Sequence, residues 1–263
     1  VTGTGVAATG AAAPPVVAFI FDTDGVVTRT ATVHAAAWKA MFDELLERRA
    51  AAAGTTYVPF SDADYRSFVD GRNRYDGVAA FLESRGIELP RGDPDDPPSA
   101  ETVCGLGNRK NEAFVAEVRA HGVEPFASTL EFVRALHRDG VRSAVVSASE
   151  NCRAILEAAG AAGLFEVSVD GIDAAELGLA GKPDPALFLE AARRLGVPAD
   201  RAAVVEDALA GVEAARRGGF ALVVGVDRAG DPAPLAAHGA DIVVADLADL
   251  ARDERGRWQA VTR

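Results

Sequence analysis

The sequence predicts an α/β protein with a doubly wound parallel sheet, interrupted after its first strand by a helical insertion. Three observations carry that expectation. Short apolar runs rich in branched residues recur along the chain, helix-like stretches separate them, and the segment from about Thr30 to Arg119 is helical in pattern but has no such run. Strands buried on both faces read as continuous apolar runs, and strands alternating with helices imply a parallel sheet.

The first strand is Val16–Phe21 (VVAFIF), and later ones fall at Arg142–Ser147 (RSAVVS), Ala202–Val205, Ala221–Val226 and Asp241–Val244. Between them, Ser149 can cap a helix over Cys152–Ala159 that Gly160 closes. Asp184-Pro185 opens another, with Leu187, Phe188, Ala191 and Leu195 on one face and Gly196 past its end. A third, Ala208–Arg217, stops at Gly218 and Gly219. The insertion carries helical patterns at Val33–Arg49, Tyr75–Ser84 and Asn108–Arg119. Before the last of these lies the turn-favouring loop RGDPDDPPSA, with its acidic stretch Asp93–Asp96. The expected division is a tail at 1–13, a core at 14–29 and 120–263, and a helical domain at 30–119. The tail is Ala, Gly, Thr and Val, expected to be disordered. Val1 in place of Met is what a GTG start translated literally would give, and a trimmed chain would look the same.

A chain of 263 residues, 49% of them hydrophobic, can bury a large core and a smaller partner domain. Its formal charge of −12 repels nucleic acid and anionic membrane at long range, so neither is an expected partner. A phosphorylated substrate would need locally concentrated positive charge, though the acidity also serves solubility alone. The only cysteines, Cys104 and Cys152, are too few for a disulfide framework, which points to a reducing cytoplasm. No apolar run approaches the ~18 residues of a membrane span, and the first residues lack the basic start of a signal peptide.

Ligands of open α/β sheets bind beyond the carboxyl ends of the strands. The first strand ends in Asp22-Thr23-Asp24-Gly25. Carboxylates at i and i+2 share one side of a strand and repel unless a cation or proton separates them. That fits a hard-metal site or a nucleophile beside an acid, and equally a capped turn. Ser147-Ala148-Ser149 follows the second run, where a hydroxyl and free N–H groups can bind phosphate, or simply cap a helix. In Gly181-Lys182-Pro183-Asp184-Pro185 the prolines can aim Lys182 inward, although a loop lysine taken alone is usually solvated. The fourth run ends in the acidic pair Glu206-Asp207.

Taken in order, Asp-x-Asp-Gly, Ser, Lys-Pro and Glu-Asp resemble the four signature motifs of the haloacid dehalogenase (HAD) superfamily, over nearly the whole chain after the tail. The resemblance implies a HAD-like Rossmannoid core with an inserted helical cap of the first subclass. It implies that Asp22 attacks phosphorus and forms an aspartyl-phosphate, and that Asp24 acts as acid and then base. Ser147 and Lys182 would grip the phosphoryl oxygens. Mg2+ would be held by Asp22, the Asp24 carbonyl and Asp207, with Glu206 in support. The chain is similar, more closely, to the β-phosphoglucomutase-like branch. His34 in HAAAWKA, the loop VDGRNR with Gly71, Arg72 and Arg74, Lys110 in RKNE, and Ala148, Ser149 and Asn151 in SASEN match substrate-binding positions of that branch. Without the resemblance, His34 reads as a satisfied helix histidine, and Arg74 and Lys110 as solvated charges. The chain departs from the branch at Thr23, where Leu is usual, at Arg29, where Asp is usual, and at Asp70, which replaces a loop lysine that Arg72 can compensate. The implied activity is transfer on a small phosphorylated sugar, interconverting β-glucose 1-phosphate and glucose 6-phosphate. A dedicated sugar- or cyclitol-phosphate phosphatase is the alternative. A binding-only sensor would have lost a transfer residue, and none is lost. A cytoplasmic monomer or weak homodimer is expected.

Overall fold

The structure, a computed structural model, describes residues 15–261, so the tail expected at 1–13 lies outside the described residues. Six parallel strands form one sheet in the order β3-β2-β1-β4-β5-β6. They are β1 (Ala18–Asp22), β2 (Arg142–Val146), β3 (Val167–Val169), β4 (Ala202–Glu206), β5 (Leu222–Val226) and β6 (Ile242–Val244). Five of the six match the apolar runs of the sequence to within a residue or two; β3 is too short to stand out.

Strand β1 lies at the centre, with Asp22 level with Val146 of β2 and Phe21 level with Val205 of β4. The pleat sends alternate side chains to opposite faces. Phe19 and Phe21 join Val145 and Val205 on one face, against Leu130, Val133 and Leu136 of helix Ala127–Arg138. Ala18 and Ile20 join Val146 and Val204 on the other, against Leu187, Phe188, Ala191 and Leu195 of helix Ala186–Leu195. That helix buries the face expected of it and ends at Gly196 in the left-handed conformation, where glycine carries no Cβ penalty. A hairpin, β7 (Leu250–Arg252) with β8 (Trp258–Ala260), covers the first face, and Trp258 meets the Phe19 ring edge-on at 4.9 Å.

Between β1 and β2 the chain forms helices α1 (Ala31–Ala53), α2 (Asp62–Asp64), α3 (Arg74–Ser84) and α4 (Val103–His121), and a π-helix at Tyr65–Val69. These helices form a cap region with an apolar cluster of its own around Trp38, Phe42, Phe60, Phe81 and Leu106. The acidic loop is an ordered turn. Asp96 accepts hydrogen bonds from Thr102 Oγ1 at 2.6 Å and from Asp93 N at 3.1 Å, and so buttresses the residue that caps α4. Both cysteines are buried free thiols. Among the described residues, no helix is long and apolar enough to cross a membrane.

Candidate active site

The centre is built at the end of β1. Thr23 turns its hydroxyl into the sheet and donates to the Val146 carbonyl at 3.0 Å. Its own carbonyl accepts from Val27 N and Thr28 N, each at 2.9 Å, which curls residues 23–28 into a tight turn. Gly25 is required there. Its φ is +86°, and a Cβ would lie 1.7 Å from Asp207 Oδ2, so the turn packs directly against that carboxylate. Arg228 Nε fixes the turn by donating to the Gly25 carbonyl at 2.7 Å.

Lys182 reaches in from the loop before the Ala186–Leu195 helix and is fully buried. Its ammonium donates to Asp22 Oδ1 and, at 2.5 Å, to Glu206 Oε1. Glu206 in turn accepts from Ala208 N at 2.6 Å, and Gly211 makes room for it, since a Cβ there would lie 1.7 Å from Glu206 Oε1. Burial opposes the charge on Lys182, but Asp22 and Glu206 overcome it and keep the lysine protonated. Burial pushes the Asp22 carboxyl up more strongly than Lys182 pulls it down.

Oxygens of Asp22, Glu206 and Asp207 come within 4.8 Å of one another. Burial raises the Asp207 carboxyl, and the charges of Asp70, Glu206 and Asp22 raise it further. Crowded carboxylates offering only oxygen donors, with one lysine among them, suit a divalent cation.

The cap supplies the facing wall. A cleft lies between Asp22, Asp24 and Ser149 of the core and Asp70, Arg72, Arg74 and Lys110 of the cap. His34 Nε2 lies 3.4 Å from Asp24 Oδ1 and has no hydrogen-bond partner among the described residues. Its Nδ1 is 2.5 Å from Lys110 Nζ, and its ring stacks on Phe114. Burial and the Lys110 charge lower the pKa of His34, while burial lowers that of Lys110 to about 7. Burial would raise Asp24, yet His34, a hydrogen bond from Thr30 and the Lys110 charge hold it at about 2. For Asp70, burial outweighs a Tyr65 hydrogen bond and, with the Glu206 charge, lifts the carboxyl to about 7. Arg74 forms an ion pair with Glu150 across the mouth of the cleft, and Asn151 Nδ2 donates to Asn111 Oδ1 at 2.8 Å, so both contacts tie cap to core.

The structure thus gathers Asp22, Asp24, Lys182, Glu206 and Asp207 at one point, with His34, Gly71, Arg72, Arg74, Lys110, Ala148 and Ser149 around the cleft above. Ser147 is buried just behind, where its Oγ accepts from Ser149 N at 3.1 Å. Asn151 is engaged with Asn111 and does not line the cleft. One expectation is corrected. Ser149 does not cap the following helix, which starts at Cys152 with Asn151 as its N-cap. Ser149 Oγ accepts from Asn151 N at 3.2 Å, closing a turn one step too early to reach the helix's own N–H groups. Lys110 and His34 are enclosed between helices rather than solvated. Sequence reasoning missed Thr30, Tyr65, Asn111, Glu150 and Arg228; each acts through a tertiary contact that no local spacing announces.

Three comparisons bear on this arrangement. Haloacid dehalogenase-like hydrolases, as a family, match residues 16–219. A β-phosphoglucomutase from Mycobacterium tuberculosis is 50% identical over 237 residues, 89% of this chain and 90% of that protein. The Bacillus subtilis β-phosphoglucomutase is 31% identical over 234 residues, 89% of this chain and 91% of that protein. Among solved structures, a Clostridium difficile β-phosphoglucomutase superposes with a TM-score of 0.67 at 25% identity, covering 88% of this chain and 92% of the other.

Proposed function

This chain belongs to the haloacid dehalogenase-like hydrolases, and we propose that it is a cytoplasmic, Mg2+-dependent β-phosphoglucomutase, acting on β-glucose 1-phosphate and glucose 6-phosphate. The observation that carries the reading is the meeting of two opposed sets of groups. A nucleophilic carboxylate, Asp22, is paired to a buried lysine at a strand end, beneath a cap that presents Arg72, Arg74 and Lys110 to the same cleft.

Asp22 is the nucleophile, attacking phosphorus through the carboxylate oxygen that Lys182 does not engage. Lys182 and Ser147, with the loop after β2, grip the phosphoryl oxygens. Asp24, ionised at rest, stands ready to take the proton of a sugar hydroxyl as that oxygen attacks the aspartyl-phosphate. In the opposite direction it must first gain a proton to protonate the leaving oxygen, and His34 beside it is the nearest titratable donor. Asp22, the Asp24 carbonyl and Asp207 are the groups that would hold Mg2+, with Glu206 behind them, and the ion supplies neutralisation of charge on the transferring phosphoryl group. Arg74 exchanges Glu150 for the non-transferring phosphate, which it can grip through two N–H groups. The cap closes over the site and excludes water.

The domain division follows the same reading: core at 14–29 and 120–263, cap at 30–119, in a monomer or weak homodimer. The separate apolar cluster of the insertion supports it. The deciding assay supplies β-glucose 1-phosphate with a trace of glucose 1,6-bisphosphate and Mg2+. Glucose 6-phosphate is the expected product. Inorganic phosphate without isomerisation would assign the site to a sugar- or cyclitol-phosphate phosphatase instead.

A further inference from the structure

Asp70 is a carboxylate on the cap wall of the cleft, where its charged cap neighbours in the lining are Arg72, Arg74 and Lys110, and the local fold fixes it there. The Tyr65–Val69 segment is a π-helix, closed by Asp70 N–H to the Tyr65 carbonyl at 3.0 Å. The extra residue in that turn brings the Tyr65 and Asp70 side chains together, a device often found at functional sites. Gly71 follows at φ +70°, and a Cβ on it would sit 2.9 Å from the Cβ of Ala208. The cap loop therefore rests on the core residue that follows Glu206-Asp207, and Asp70 faces the reacting end of the cleft. Alanine or any larger residue at 71 would lift it away.

The surroundings restrict what Asp70 can bind. An ionised carboxylate only accepts hydrogen bonds, and so do phosphate oxygens. Its charged neighbours are Glu206, Asp24 and Asp207, together with Lys182, which is already committed to Asp22 and Glu206. With Asp70 ionised, the form its carboxyl takes from about neutral pH upward, a ligand group approaching it must be a donor. The lysine that the resembled branch carries at this position would select an acceptor, so the reversal of charge changes the group being read. On a phosphorylated polyol, the donors held at fixed distance from phosphorus are ring hydroxyls.

Resting on the sugar-phosphate reading above, we propose that Asp70 is a specificity-determining residue whose carboxylate accepts a hydrogen bond from a ring hydroxyl of the substrate. The cationic groups Arg72, Arg74 and Lys110 hold phosphate, and Asp70 requires that the carbon skeleton carry a free hydroxyl beside the reacting end.

The test is steady-state kinetics of the Mg2+-loaded protein on glucose 6-phosphate and β-glucose 1-phosphate and on their monodeoxy analogues, for wild type, Asp70→Ala and Asp70→Asn. In wild type, removal of one particular hydroxyl should lower kcat/KM by about 10- to 150-fold, the value of a hydrogen bond to a charged group. In Asp70→Ala that penalty should shrink to within about twofold, the scatter expected of uncoupled groups, and Asp70→Asn should restore part of it. Thermal melting of each variant checks that the fold is retained. Identical deoxy penalties in wild type and Asp70→Ala overturn the proposal. So does a weakened Mg2+ dependence with an unchanged deoxy pattern, which would assign Asp70 to water around the cation. Wild-type protein that turns over no sugar phosphate overturns the functional reading itself, a result distinct from either.

Discussion

Replacing Lys182 by Met tests the charge balance at the centre of the site. The ammonium is fully enclosed and bonds both Asp22 and Glu206, whose side chains are 8% and 0% exposed. Methionine keeps nearly the length and volume, so little cavity is created, and the loss is almost purely electrostatic. Breaking a buried ion pair from one side costs about 3–5 kcal/mol. At about 2–4 °C per kcal/mol for a chain of this size, the melting temperature should fall by about 6–20 °C. The direction with pH follows from linkage. Without the cation, burial raises the Asp22 carboxyl still further above its unfolded value, so the folded state binds more protons and stability falls as pH rises through that window. The deficit should be full at neutral pH and shrink on acidification, and Lys182→Met with Glu206→Gln should recover part of it at neutral pH. Thermal denaturation at neutral and mildly acidic pH measures all three effects. A variant melting within about 2 °C of wild type, or one whose deficit ignores pH, would refute the reasoning, because uncompensated buried charge would then cost nothing.

Asp22→Ala should lower turnover of every phosphoester by about four to six orders of magnitude, as loss of a nucleophile does; activity persisting in clean protein would contradict the covalent mechanism. Lys110, lowered to about 7 by burial, loses its charge as pH rises through neutrality, so kcat/KM for the sugar phosphate should decline above about pH 7, and Lys110→Arg should remove that limb because arginine stays charged. Gly25→Ala should drive a methyl into Asp207 and strain a positive φ. A raised Mg2+ requirement, read by titrating the cation into chelator-stripped protein, is the expected result, and unchanged half-saturation would show that the turn does not position Asp207.

The core motifs were legible because each follows a short apolar run, and a parallel sheet brings the ends of such runs together whatever the loops do. Helix Ala186–Leu195 was equally plain, since its apolar period, its start and its terminal glycine agree. Helix α4 was read too short. Gly105 and Gly107 look like breakers, yet each permits a close approach, Gly107 to the Tyr75 ring, where a Cβ would be only 2.8 Å away. The β7–β8 hairpin has three residues a side and is held by Trp258 against Phe19 and Phe132, a contact no local window contains. The cap residues show the same limit more sharply. Lys110, mid-helix among polar neighbours, reads as solvated until Trp38 and Phe114 are seen to enclose it. The π-turn that aims Asp70 has no sequence signature of its own.

Placing the nucleophile on the middle strand has a consequence for synthesis. Thr23 and its partner Val146 are separated by 123 residues, and Asp22 and Lys182 by 160. At about 5–20 residues per second, some 6–25 s pass between emergence of β1 from the ribosome and arrival of its first neighbour. The cap, with its own apolar cluster, can settle in that interval, but VVAFIF has nothing to pair with. The hydrophobic strand that makes the finished sheet rigid is therefore the nascent chain's chief aggregation hazard. Fragments ending before β2 should partition to the pellet or to chaperones, however well their cap is formed.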